Sequence, residues 1–314
     1  MAVPKVAKNT RLPFQKTWTQ KASTQKRIFL LLAVTPPFLG YLLFSLYPNI
    51  LSVYYALLNW NGISEPVFVG FDNFVKMLHD QFVWRALYHN FLLLVAVVPL
   101  TIIISLFLAY LITYMPFREN AFLKVLFFFP NVLSTVVIAL LWAFIYDGNY
   151  GLLNSLLRMF GINLDTFWLG QESTALWALV LPFVWGGVGL YVIIFSNAML
   201  SIPKSLYESA ILDGAGHMTL LFKITIPLLR PIIYVGVLFV SLGTIKGFET
   251  VLILTNGGPA GSTDVLGLYM FNLAFGETVH NYGYASAVGM LLFIILTGTK
   301  LIMDKFFPNS GVEY

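Results

Sequence analysis

Long apolar runs separated by shorter polar stretches set the pattern of this chain. Residues 28–47, 91–115, 125–146, 176–200, 232–254 and 284–302 are runs with few or no charges. Each is about 20 residues long, enough for a helix to cross a hydrocarbon core about 30 Å thick. The pattern therefore predicts an all-α membrane protein with six transmembrane helices. The first run follows a basic segment, as in a signal peptide. It is too long for one, and no small-x-small cleavage site follows, so it is predicted to be an uncleaved first span bent near Pro36 and Pro37. The third span is predicted to begin near Pro130. The connections at 59–89 and 147–173 are polar. Within the second, Leu152, Leu153, Leu156, Leu157 and Phe160 share one helical face, which predicts a short helix lying along the membrane surface.

Residues 205–231, SLYESAILDGAGHMTLLFKITIPLLRP, break the pattern. They carry Glu208, Asp213, His217, Lys223 and Arg230 between two apolar runs. Tyr207 to Leu212 opens as a helix. Gly214 and Gly216 are expected to end it, because glycine accepts the positive φ of a sharp turn. Leu220, Leu221, Ile224 and Leu228 then restart a helical face, which Pro227 and Pro231 interrupt. The plain reading is a polar loop. A plain loop has no need of small residues at Ser209, Ala210, Gly214, Ala215 and Gly216, which suit close packing against a partner.

Composition agrees with the membrane reading. Hydrophobic residues make up 58% of the 314 residues and charged ones 10%, and the mean hydropathy is +0.81. A soluble domain carries about 25% charged residues. The net charge of +4 is not a nucleic-acid footprint, because its location matters more than its size. Seven cations crowd into residues 1–27. Arg118, Lys124, Lys204, Lys223, Arg230, Lys300 and Lys305 fall on the same side of the six-span topology, against Lys76, Arg85 and Arg158 on the other. The positive-inside rule then places both termini and the 205–231 stretch in the cytoplasm. The expected organisation is a basic cytoplasmic segment (1–27), a six-helix domain (28–306) with a cytoplasmic loop at 200–230, and a short tail (307–314).

The chain carries no enzyme constellation. There is no cysteine, which excludes disulfides and thiolate metal sites. His79, His89, His217 and His280 are scattered, with no HExxH pattern. No G-x-x-x-x-G-K-[ST] occurs, so ATP, if it drives this protein, is held elsewhere. Lys246 and Glu249 inside the fifth run are the conspicuous exception to its apolarity. A charge at mid-bilayer costs about 2.5–3.5 kcal/mol even on the lenient insertion scale. Two readings account for them: a mutual i, i+3 pair turned to the bundle interior, or the lining of a wet path for a polar solute. Phe248 between them offers a ring on which sugar C–H faces stack. In the fourth run, Gly186, Gly187 and Gly189 suit either close helix packing or the bare wall of such a path, with Leu190 and Tyr191 beside them.

Glu208-Ser209-Ala210, then Gly214, then Ile224-x-Ile226-Pro227 resembles the EAA loop of ABC importer permeases. Ser209 stands where the pattern has alanine and Ile226 where it has leucine. GFDNFVKML (70–78), FFFPNVLSTVVIALLW (127–142) and LTNGGPAGSTDVL (254–266) resemble the maltose-type, binding-protein-dependent sugar permeases. The resemblance covers residues 28 to 306. It implies the type I importer permease fold in a bacterial cytoplasmic (inner) membrane. It also implies a second homologous permease, a cytoplasmic ATPase dimer that binds ATP and Mg, and an extracytoplasmic binding protein that delivers a sugar or oligosaccharide. This chain itself would hold no cofactor and catalyse nothing. Tyr207, Glu208, Ser209, Ala210, Asp213 and Gly214 would couple to the ATPase. Gly186, Gly187, Leu190, Tyr191, Thr244, Lys246, Gly247, Phe248 and Glu249 would line the solute path. Some relatives carry asparagines on that path which this chain lacks, so a different solute is expected. Lys246 favours an acidic sugar, and Glu249 close by opposes that preference. A stand-alone ion-coupled secondary transporter or channel is the competing class. It would use Lys246 and Glu249 as ion ligands but leaves the glycine-broken cytoplasmic loop unexplained.

Overall fold

A computed structural model describes residues 14–114, 120–162, 166–276 and 280–306. Lys5, Lys8, Arg11, Arg118 and the 307–314 tail lie outside the described residues. The chain divides into two compact units at Tyr54. The first is a helical run: α1 (Phe14–Tyr41), a π turn (Leu42–Leu46) and the start of α2 (Tyr47–Tyr55). Thr24–Tyr55 is long and apolar enough to cross a membrane, and Pro36 and Pro37 are accommodated inside α1 without ending it.

The second unit opens with a two-residue hairpin, β1 (Leu58–Asn59) against β2 (Val67–Phe68), and α3 (Asp72–His79). The long α4 (Gln81–Tyr114) follows, then α5 (Asn120–Val132), α6 (Thr135–Ile145), α7 (Leu152–Met159), α8 (Glu172–Ala178) and α9 (Val180–Leu200). The cytoplasm-predicted stretch contains α10 (Lys204–Leu212), α11 (His217–Thr219), a π segment (Leu220–Thr225) and α12 (Ile226–Leu228). α13 (Arg230–Lys246), α14 (Phe248–Leu254), α15 (Leu266–Phe275) and α16 (Tyr282–Phe306) complete it.

Among the described residues, four helices are long and apolar enough to cross a membrane unbroken, and two bent pairs bring the total to six if each pair is one span. The third predicted span is one of the bent pairs. Phe122–Val132 and Thr135–Ile145 meet at 100°. Pro130 has no N–H for the preceding turn. Leu133 N–H turns back to the Pro130 carbonyl at 3.2 Å. Ser134 is extended, and its hydroxyl accepts the Val137 N–H and caps the new helix. The fifth predicted span is also discontinuous, because α13 ends at Lys246 and α14 begins at Phe248. Upstream, His217–Leu228 meets Arg230–Lys246 at 75°. α15 lies between the fifth and sixth apolar runs, and at ten residues it is too short to span.

α4 and α9 form the spine of this unit. Leu93, Val97, Leu106 and Ala109 of α4 are buried with Val184, Val188, Val192 and Phe195 of α9. Polar contacts cross between them as well: Ser105 Oγ donates to the Val188 carbonyl and Tyr114 Oη to the Met199 carbonyl, both at 3.1 Å. α5 approaches α9 so closely that a Cβ on Gly189 would lie 2.0 Å from the Phe127 carbonyl oxygen. Gly189 is thus a packing glycine.

The other end of α4 anchors the later helices. Asp80 accepts hydrogen bonds from the Tyr269 and Tyr284 hydroxyls, both at 2.6 Å. Burial pushes the Asp80 pKa up, but these bonds and the Phe82 and Val83 N–H groups outweigh it and lower the pKa. The stabilisation from this clamp is complete above the ordinary aspartate range. It is lost as pH falls through the lowered value. Arg85 meets the Asp264 carboxylate at 3.4 Å, and a His89 ring nitrogen lies 2.8 Å from the Asp264 carbonyl oxygen. Burial raises the Asp264 pKa, and Arg85 and His89 offset this only in part. The Asn90 side chain accepts the Leu266 N–H at 2.9 Å, which starts α15.

Gly189→Ala forces backbone apart rather than a flexible side chain, so about 1–3 kcal/mol of stability should be lost. Thermal unfolding of the purified protein in detergent checks this. An unchanged midpoint would mean that α5 and α9 do not meet as described.

Candidate functional site

The α5–α6 break and the α13–α14 break converge on one cavity of about 380 Å³. The α5–α6 break contributes Asn131, Leu133 and Thr135, and α6 adds Ile138. α9 contributes Pro182, Phe183 and Gly186. The α13–α14 break contributes Gly243, Lys246, Gly247, Glu249 and Thr250. In a bilayer, non-helical backbone is tolerated only where it is buried in protein or lines a wet cavity. Asn131 Nδ2 donates to the Gly186 carbonyl at 3.2 Å and ties the first break to α9. Gly247 permits the second break because the Phe183 ring presses on it; a Cβ there would lie 2.4 Å from Phe183 Cε1.

The break also decides the state of the two charges. Lys246 is the last residue of α13 and Glu249 sits in the first turn of α14. Each suits the helix end it occupies, since carbonyls converge at a C-terminus and N–H groups at an N-terminus. No ion pair joins them among the described residues, because the i, i+3 register expected of a continuous helix does not run through Gly247. Both are exposed and line the cavity.

Of the predicted path residues, Gly186, Lys246, Gly247 and Glu249 line the cavity. The other five do not. Gly187 faces Thr101, and Leu190 is exposed away from the cavity lining. Tyr191 is buried with its ring against Phe195. The buried Thr244 hydroxyl is used within α13, donating to the Val240 carbonyl at 2.9 Å. Phe248 is half-buried and packs against Phe271 of α15, with ring centroids 5.6 Å apart. Sequence reasoning missed Asn131, Thr135, Phe183, Gly243 and Thr250. The signal for the first two was present: Pro130-Asn131 followed by Ser134-Thr135 is a helix stop followed by an N-cap.

At the other candidate site, α10 ends in a Schellman motif. Gly214 N–H bonds the Ile211 carbonyl and Ala215 N–H the Ala210 carbonyl, both at 2.9 Å. Gly214 has φ +83, as the motif requires, whereas Gly216 is not left-handed and simply precedes α11. Glu208, Ser209, Asp213 and Gly214 are exposed, together with Ile211 and Leu212. Ala210 is half-buried against the core. Tyr207 is buried, with its hydroxyl facing inward, so it is not part of the outer face. Among the described residues no His, Asp and Glu group has the arrangement of a metal site.

Residues 101–309 match the family model described as "Binding-protein-dependent transport system inner membrane component". The chain is 36% identical to the probable ABC transporter permease protein YurN of Bacillus subtilis (strain 168), over 88% of this chain and 95% of that protein. It is 35% identical to the diacetylchitobiose uptake system permease protein NgcF of Streptomyces coelicolor, over 87% of this chain and 80% of that protein. In fold it is similar to a chain of a crystal structure of a bacterial ABC transporter involved in the import of the acidic polysaccharide alginate. The TM-score there is 0.79 at 23% identity, covering 93% of this chain and 99% of that one.

If Lys246 and Glu249 face the cavity separately, the stability effects of Lys246→Met and Glu249→Gln should add to within about 0.5 kcal/mol. A double-mutant cycle on thermal or denaturant unfolding measures this. A coupling above about 1 kcal/mol would restore the mutual ion pair.

Proposed function

The chain belongs to the family of binding-protein-dependent transport system inner membrane components, and we propose that it is the permease subunit of an ATP-driven importer for a sugar or oligosaccharide. The observation that carries the reading is the cavity at the two helix breaks. A polar solute needs hydrogen-bonding groups in exchange for its water, and the cavity offers Asn131, Thr135, Thr250, Lys246 and Glu249 against the apolar walls of Pro182 and Phe183. A hydroxyl-rich solute with C–H faces fits such a mixture. The uptake system named for NgcF supports a carbohydrate class. With both signs of charge on the wall, Lys246 alone does not select an acidic sugar.

On this reading the protein lies in a bacterial inner membrane with both termini inside. A binding protein outside delivers the solute. A second homologous permease completes the path, and a cytoplasmic ATPase dimer holds ATP and Mg. The face formed by Glu208, Ser209, Ile211, Leu212 and Asp213 docks that ATPase, and Gly214 fixes its angle. This face suits a docking role because it joins two exposed acids to exposed apolar side chains on a short capped helix. Nucleotide-driven closure of the ATPase then alternates access to the cavity.

Glu208→Ala should weaken docking, since truncating one partner of an interfacial charge pair costs about 2–5 kcal/mol. Gly214→Pro should uncouple more severely because it removes the left-handed turn itself. Co-purification of the ATPase and solute-stimulated hydrolysis are the measurements. Normal values in both variants would remove this face from the mechanism and the reading with it.

A further inference from the structure

The 205–231 stretch continues directly into α9 and α13, so its movement reaches those helices through the backbone. α4 has no such link, yet it is bolted to the same stretch by side chains. Tyr110 and Tyr114 lie one turn apart at the C-terminal end of α4, on one face. Tyr114 Oη is 2.7 Å from Tyr207 Oη, which is 2.9 Å from Thr225 Oγ1. Thr225 Oγ1 donates to the Leu220 carbonyl at 3.0 Å. One turn back, Tyr110 Oη is 3.2 Å from the His217 carbonyl oxygen and 3.3 Å from its Nδ1. The two tyrosines therefore hold both halves of the stretch: α10 through Tyr207, which passes the contact on to Thr225 of the π segment, and α11 through His217.

The protons fix the direction of the chain. Each hydroxyl carries one. Thr225 gives its proton to Leu220, so it accepts from Tyr207, which in turn accepts from Tyr114. Tyr114 has a second acceptor within reach, the Met199 carbonyl at 3.1 Å near the end of α9. The rings reinforce the contact, with centroids 5.0 Å apart for Tyr110–Tyr114 and 4.7 Å for Tyr114–Tyr207. Apolar surfaces slide over one another, but an aligned hydrogen-bond chain away from water holds one register. Thr225 closes the π segment, a rare helix form found mostly at functional positions. Beyond the chain, α4 grips α9 through Ser105 and Val188, and α9 carries Gly186 into the cavity.

We propose that Tyr114, with Tyr110, Tyr207 and Thr225, is a positioning relay that carries displacement of α10 into α4 and so to the cavity wall. The proposal rests on the importer reading above. Tyr207 acts from inside the helix whose outer face meets the ATPase, and not as part of that face.

The test uses the complete transporter with its partner subunits in proteoliposomes. Because the chain has no cysteine, Thr135→Cys places a single thiol of this subunit at the cavity. Its reaction rate with a methanethiosulfonate reagent is compared with and without ATP and vanadate. In that parent the nucleotide should change the rate about fivefold or more. Adding Tyr114→Phe or Tyr207→Phe, which keep the rings, should reduce the change to less than twofold while the ATPase still co-purifies and hydrolyses ATP. Both together should be no worse than either alone, since they lie on one chain. A nucleotide response that survives in both variants overturns the relay. So does loss of assembly in Tyr110→Phe, Tyr114→Phe and Tyr207→Phe alike, which would make the hydroxyls structural. No response in the parent would instead overturn the importer reading on which the relay depends.

Discussion

Inside a bilayer, no water is available to satisfy a broken helix. A free N–H or C=O there costs several kcal/mol unless protein or a wet cavity receives it. The breaks at Leu133–Ser134 and at Gly247 must both meet that demand, and both do so at the same place. The Ser134 side chain caps one new helix, and Asn131 reaches across to the Gly186 carbonyl. The packing of the spine serves the same end. Gly189 brings α5 close to α9, so the first break faces Gly186, and Phe183 fills the space that Gly247 leaves open.

The charges follow from the break. In a continuous helix Lys246 and Glu249 would share a face and neutralise each other. At a break each occupies the helix end that tolerates its sign, and both remain open to the cavity. A polar wall is thus obtained without an unfavourable charge against lipid. The same economy appears at the ends of α4. Asp80 and Arg85 hold the last helices and the 255–265 loop at one end. Tyr110 and Tyr114 hold the 205–231 stretch at the other.

Much of this was legible in the sequence. The apolar runs located the spans, because the length needed to cross a membrane is a fixed quantity. The Leu212-Asp213-Gly214 ending of α10 was readable, since a left-handed turn selects glycine. Gly216 was misjudged because a glycine in a loop does not announce its φ. The cavity lining was half legible. Gly186, Lys246, Gly247 and Glu249 were identified, but Phe248, Tyr191 and Thr244 turn into packing or back onto their own helix. Residue type alone does not state which way a side chain turns, and the rotation of α14 against α15 is set by Phe248 meeting Phe271 and Gly267. Asn131 and Thr135 were hidden for a different reason: an apolar run of spanning length looks like one helix until its internal stop and cap are weighed.

The most direct test of the account is whether solute passes through this cavity. Gly243 lines it, and a Cβ added there meets nothing within 4 Å. Gly243→Cys therefore introduces the chain's single thiol without disturbing the fold. Uptake of radiolabelled oligosaccharide by the assembled transporter is measured before and after that thiol is modified with a bulky reagent. The account predicts normal uptake before modification and near-complete block after it, with the ATPase still bound. Unchanged uptake after full modification would mean that the solute does not cross between the two helix breaks.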